Sequence, residues 1–269
     1  MNSAGWDVVS MIVVTLKGIF RDRVFQGILM ASLAFLAVPA ISTLSLRQVT
    51  ELSLTLSLSL VSFILLLLAV FLGGVSLWRD MERRYTNSVL SLPLSRSLYL
   101  LGRFAGIAVF LVGVAFLLGL FTIAVVLFVS HGYPPERPIV WGTVAAALGF
   151  DTLKCVLLVS FAVFFSSVST SFFLPIFGTI GIYLVGGASQ QAYDYVHSAV
   201  GQNLPVVVRQ LATSLYYVLP NLSAFDLKVN AIYGLPLDFH GLYVTVGYFI
   251  VYTAFLLLCA MAVFSRREL

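Results

Sequence analysis

The chain has 269 residues, of which 60% are hydrophobic and only 10% charged, and its formal net charge is +4. A soluble domain carries about 25% charged residues, so this composition excludes an ordinary water-soluble protein of one or two domains. Apolar runs of the ~20 residues needed to cross a bilayer as a helix recur along the chain, so the positive balance reads as membrane orientation and no nucleic-acid partner is expected. Cys155 and Cys259 both fall inside apolar runs and are expected to be buried thiols rather than a disulfide. No cleavable signal is expected, because the first residues are uncharged or acidic and the first strong run is long enough to span.

Residues 1–24 come first. Trp6, Val9, Val13, Leu16 and Phe20 recur at spacings of three and four, with Asp7, Ser10, Lys17 and Arg21 on another face. That pattern predicts a helix lying in the membrane interface. A first span is expected over 25–46, with Pro39 inside it, and a second over 52–77. The second begins LSLTLSLSL, a period-two alternation that usually marks a strand. A lone strand cannot cross lipid unpaired, so a helix with serines turned towards its neighbours is expected. A polar stretch, 78–103, follows, with a short helix over 86–90 broken at Pro93. The third span is expected at 104–129, where Gly106, Gly113 and Gly119 offer close helix approach. The fourth is expected at 139–165, the fifth at 172–188 and the sixth at 241–264. The fifth is short and carries Pro175, Gly178 and Gly181.

Residues 189–240 form the longest segment outside these spans. The run Leu204 to Leu219 is short and holds Arg209 at its middle, where a charge at bilayer depth costs roughly 2.5 kcal/mol or more. Six spans with both termini inside place ten basic residues on the inner side: Lys17, Arg21, Arg23, Arg79, Arg83, Arg84, Arg96, Arg103, Arg266 and Arg267. Four fall outside: Arg47, Arg137, Arg209 and Lys228. The bias agrees with the positive-inside rule, and a seventh span would weaken it. The Leu204–Leu219 run is therefore expected to be an outer-face or re-entrant helix. The fold class is all-α and integral to the membrane, one transmembrane domain over 1–269.

Catalytic patterns are scarce. The sequence holds no G-x-x-x-x-G-K-[ST] phosphate loop and no H-E-x-x-H pair. His131, His197 and His240 lie far apart in sequence, and only Asp194 and His197 have a ligand-like spacing, so no metal site is expected. Asp151 and Lys154, three apart in the fourth span, share a helix face. Ionisable groups at that depth pair, face the bundle interior or mark a pathway; a translocation route, a subunit seam and a plain packing pair all remain open. A secondary transporter using this pair would favour inverted repeats, and none is visible. A membrane-embedded lipid enzyme would need an acid cluster or a nucleophile–base set, for which Asp80 and Glu82 have no setting.

The run Glu82-Arg83-Arg84-Tyr85-Thr86, then Leu90-Ser91-Leu92-Pro93-Leu94-Ser95-Arg96 and Tyr99-Leu100-Leu101-Gly102-Arg103, resembles the cytoplasmic loop of ABC exporter permeases of the ABC-2 type. It departs from that pattern in Tyr85, where glycine is common, and in Arg103, where lysine is common. The segment Leu219-Pro220-Asn221-Leu222-Ser223-Ala224-Phe225-Asp226-Leu227-Lys228 and the tail Phe264-Ser265-Arg266-Arg267-Glu268-Leu269 look like the subgroup that includes the permease of the nitrous-oxide-reductase maturation exporter. The resemblance implies six spans, an interfacial helix and a coupling helix between spans two and three. It implies a permease subunit with no ATPase motif of its own, working as a pair of copies on two separate ABC ATPase subunits that carry ATP and Mg. Glu82, Arg83, Arg84 and Thr86 are then expected to contact the motor, with Pro93 and Arg96 ending the lever. The inner membrane of a prokaryote is the expected location, with membrane lipid and an accessory extracytoplasmic protein as further partners.

Overall fold

A computed structural model describes residues 3–20, 26–27, 30, 37–44, 48–82, 96–135, 137–198, 201 and 204–266; for 3–10, 20, 40, 76–82 and 96 it describes the backbone alone. Among the described residues the chain is helical and holds no strand. Helix α1 is Ser3–Phe20, α2 Val38–Ser42, α3 Val49–Glu82, α4 Arg96–Gly132 and α5 Trp141–Val168. Then follow α6 Phe173–His197, α7 Val206–Val218, a 3-10 turn Ser223–Phe225, α8 Lys228–Tyr233 and α9 Phe239–Ser265. Five of these, α3, α4, α5, α6 and α9, are long and apolar enough to cross a bilayer. The chain is a multi-pass membrane protein. Half of the first expected span, 25–46, lies outside the described residues; within it, Pro39 occupies the first turn of the short α2, where its missing N–H costs nothing.

Helices α3 and α5 form the centre. Leu65, Leu68, Leu157, Leu158 and Val159 are almost wholly buried in one cluster with Leu100, Ile107 and Leu111 of α4 and with Ala260 and Phe264 of α9. The alternating start of α3 is a helix, as expected: Ser53, Leu54, Ser57 and Leu58 are all buried. Short connections between α4 and α5 and between α5 and α6 make successive spans antiparallel. One end of the bundle therefore carries the break between α3 and α4 (the loop end). The other carries everything between α6 and α9. At the loop end Tyr99 stacks on Phe264 with ring centroids 6.3 Å apart, which ties the start of α4 to the end of α9.

Helix α1 forms where a helix was expected, and one of its faces packs on the bundle. Met11, Thr15 and Ile19 are buried, whereas Val13 is 42% exposed. The reason lies on α4. A Cβ at Gly102 would stand 2.7 Å from Met11 Cβ, and one at Gly106 2.7 Å from Thr15 Cβ, so the two glycines let α1 lie directly against α4. The pairing of 11 with 102 and 15 with 106 keeps the same offset, so α1 runs along the first half of α4 in the same direction. Gly119 also serves as a close approach, to Leu148, while Gly113 faces open space.

One expected boundary moves. The fifth span does not stop at Ala188: α6 continues through Ser189, Gln190 and Tyr193 to His197. Pro175 stands in its first turn, where proline is tolerated, and the polar residues after Ala188 sit on the surface end of an unbroken helix. The Leu204–Leu219 run forms α7 on the outside of the bundle, with no buried residue. What enters the bundle is the chain after it. Leu222 and Phe225 are buried in the main core, and Ala231 packs with Leu54, Leu58, Val144 and Ala147.

Gly186 makes room for this entry. The Leu222 N–H donates to the Gly186 carbonyl at 3.0 Å. A Cβ at Gly186 would stand 2.7 Å from the Pro220 carbonyl oxygen and 2.9 Å from Leu222 Cγ. Backbone on one side and a buried leucine on the other leave little to yield, and overpacking of this kind costs about 1–3 kcal/mol. Gly186→Leu is therefore expected to lower the melting temperature in detergent by several degrees and to loosen residues 219–227, read as faster protease cleavage there. An unchanged melting curve with unchanged cleavage would show that the segment is not held by α6.

Candidate functional site

Two places carry the sequence candidates. At the loop end, Glu82 is the last residue of α3 and Arg96 the first of α4. Both helices are longer than a bilayer requires. At 1.5 Å per residue α3 extends about 50 Å and α4 about 55 Å, against ~30 Å of hydrocarbon. Arg83, Arg84, Thr86 and Pro93, and the expected short helix over 86–90, lie outside the described residues. Next to this end, the Arg103 guanidinium donates to the Thr15 hydroxyl at 3.5 Å, so α1 and the base of α4 are joined by a polar contact as well as by close packing.

The second place is the middle of α5. Asp151 and Lys154 are each 5% exposed, and the ammonium is 2.5 Å from Asp151 Oδ1. No hydroxyl or amide N–H hydrogen-bonds to either carboxylate oxygen among the described residues. The pair lies about 15–20 Å from the start of α5. An apolar groove of about 940 Å³ between α4 and α5 is lined by Thr152 and Leu153 from the same turn but not by Asp151 or Lys154. The charges are thus turned to the bundle interior, away from the lipid-facing groove, as intramembrane ionisable groups usually are. On the neighbouring α3, Ser53 and Ser57 have buried hydroxyls with no hydrogen-bond partner among the described residues, and Ser57 lies about 12 Å along its helix. Buried hydroxyls of this kind are suited to internal water.

The segment between α7 and α9 completes this region. Asn221 N–H donates to the Tyr248 hydroxyl at 3.2 Å, and Asn221 Nδ2 donates to Gln190 Oε1 at 2.8 Å. Tyr252 donates to the Val218 carbonyl at 3.1 Å. These bonds fix the descent of the chain against α6 and α9. At the turn, Asp226 comes within electrostatic reach of Lys154, and Lys228 within reach of Cys155. Asp226 is exposed and Lys228 half-buried, and the Asp226 carboxylate accepts from the Lys228 backbone N–H at 3.2 Å. The chain matches no protein-family model and no curated protein.

The Asp151–Lys154 pairing was legible from its spacing. The approach of Asp226 was not, because it depends on where the irregular segment enters. The one sequence signal was the polar run Asn221 to Lys228 itself, too short for a span and closed by proline at 220. Among the described residues no group of three His, Cys, Asp or Glu side chains comes together as a metal site.

Proposed function

We propose that this chain is the membrane subunit of an ATP-driven exporter of the ABC-2 kind, six spans per copy, working as a pair on two separate ATPase subunits. The observation that carries the reading is the arrangement of the loop end. The motif from Glu82 to Arg103 begins on the last turn of one long helix and continues into the first turns of the next, and α1 is clamped to that second helix. A push on the intervening residues would pass into α3, which packs across the core on α5, and into α4, which carries α1. Continuous helices are stiff enough to carry such a displacement.

In this mechanism Glu82, Arg83, Arg84 and Thr86 bind the motor, and Pro93 and Arg96 end the lever. ATP and Mg act on the partner chain. Helix α5, which carries Asp151 and Lys154, packs on the Ser223–Phe225 turn and on α8, so that movement of α5 against α3 moves that segment and opens or closes the path at the far end. Both termini lie in the cytoplasm of a prokaryote and the bundle in its inner membrane. Direct evidence comes from a photo-crosslinking residue in place of Glu82. Trapping of a chain that also binds ATP is expected; trapping of lipid alone would contradict the reading.

A secondary transporter built on Asp151 and Lys154 is the second reading, favoured by the inward-facing ion pair alone. It predicts uptake that follows an ion gradient and ignores ATP.

A further inference from the structure

Helix α7 has two faces of opposite character. Val207, Leu211 and Val218 are 65%, 58% and 70% exposed, an apolar side that in a membrane protein meets acyl chains. Arg209, Gln210, Thr213 and Tyr217 recur at spacings of three and four on another side, and Ser214 lies where the two sides meet. That polar side does not close against the bundle. Together with Val196 and His197 at the end of α6 it lines an open cleft of about 820 Å³.

Arg209 is half-buried there. Among the described residues its guanidinium has no carboxylate partner and no hydrogen bond, and the side chains of Gln210 and Ser214 make none either. Thr213 donates its hydroxyl to the Arg209 carbonyl at 2.9 Å. The His197 Nδ1 lies 2.9 Å from the Tyr193 carbonyl, so the ring is anchored on that side. Asp194, the acid on the same turn, does not line the cleft, and its Oδ1 accepts from Gln190 at 2.9 Å. A cation, an amide and three hydroxyl side chains therefore line a cleft with no acidic side chain in its described lining.

Its depth is set by α6. That helix is about 37 Å long, so the turn at His197 stands at headgroup level. Tyr193, Tyr216 and Tyr217 cluster beside it, with Tyr193 and Tyr216 stacked at 4.3 Å. Tyrosines concentrate at that level of a bilayer. Arginine with neighbouring hydroxyls is suited to a phosphate, which takes charge-assisted, bidentate hydrogen bonds.

We propose that the cleft between α6 and α7 is a site for the phosphodiester headgroup of an anionic lipid. The phosphate sits on Arg209 with Ser214 and Gln210, and the acyl chains run down the apolar side of α7. The cleft is far larger than a free phosphate needs and is of the size that takes a whole headgroup.

The test uses the full chain in detergent, titrated separately with short-chain phosphatidylglycerol, short-chain phosphatidylcholine and inorganic phosphate. Saturable binding of phosphatidylglycerol is expected, weaker binding of the zwitterionic lipid, and none of inorganic phosphate at the same concentration. Arg209→Ala is expected to weaken phosphatidylglycerol by about tenfold, and Arg209→Lys by less, since a charge remains without the bidentate fork. Ser214→Trp keeps Arg209 and fills the cleft from an exposed position, and it is expected to block binding with the melting temperature unchanged. Equal affinity of Arg209→Ala and wild type overturns the proposal. So does binding of inorganic phosphate as tight as that of the lipid, which would assign the site to a soluble phosphate.

Discussion

Replacing Glu82 and Arg83 together with alanine is expected to release the ATPase partner and abolish ATP-driven export while leaving the protein inserted and folded. Glu82 ends α3 and Arg83 follows it in sequence, and the buried core is built from residues such as Leu65, Leu68, Leu157 and Leu158. Truncating one partner of a hydrogen-bonded charge pair in an interface costs about 2–5 kcal/mol, so loss of both is expected to weaken the ATPase complex roughly thirtyfold or more. The measurement is the amount of ATPase retained per copy of the chain after affinity isolation, read beside the melting temperature. Full retention with coupled transport would remove Glu82 and Arg83 from the interface.

The next largest effect is expected at Asp151 and Lys154. Each is buried and each is the other's ion partner. Removing one leaves an uncompensated charge in a low-dielectric setting, a loss of about 3–5 kcal/mol, whereas replacing both with apolar residues is often neutral. Asp151→Leu or Lys154→Leu alone is expected to reduce folded protein sharply. The double leucine variant is expected to recover most of the melting temperature. Its transport should nevertheless stay low, because the proposed path then loses its buried charges. A double variant that transports like wild type would reduce the pair to packing, and single variants as stable as the double would show that the two charges are not coupled.

The long helices were readable because their signal is cumulative. Twenty apolar residues cannot be placed anywhere but lipid, and α3, α4, α5 and α9 appear within a few residues of their expected limits, apart from the charged first turns of α4 and last turns of α3. The end of α6 was misjudged because Ser189 and Gln190 look like a loop, although polar residues at the surface end of a span cost the helix nothing. The face α1 buries in the bundle was not legible in its own pattern. Its own periodicity favours Val9, Val13 and Leu16, but the face it buries is chosen by Gly102 and Gly106 on another helix. The entering segment was beyond pattern reading altogether. Phe225 is fully buried because Gly186 leaves room and because Tyr248 and Gln190 hold Asn221, and none of these partners is near it in sequence.

The charges divide in the same way. Asp151 and Lys154 announce themselves as a pair three apart on one helix. Arg209 looked like an obstacle to a seventh span. Its place beside His197 and Ser214 in an open cleft emerges only when α7 is laid against α6. The motif from Glu82 to Arg96 is read from the sequence, and the structure contributes what stands on either side of it: two helices longer than the bilayer, one of them clamped to α1.

Affinity isolation of the chain from its native membrane in mild detergent, followed by the mass of the intact complex and its rate of ATP hydrolysis, tests the central claim most directly. Two copies of this chain with two copies of a nucleotide-hydrolysing subunit are expected, together with ATP hydrolysis that falls when Glu82 and Arg83 are replaced. A complex that contains no ATP-hydrolysing chain, from a protein that moves its substrate down an ion gradient, would contradict it.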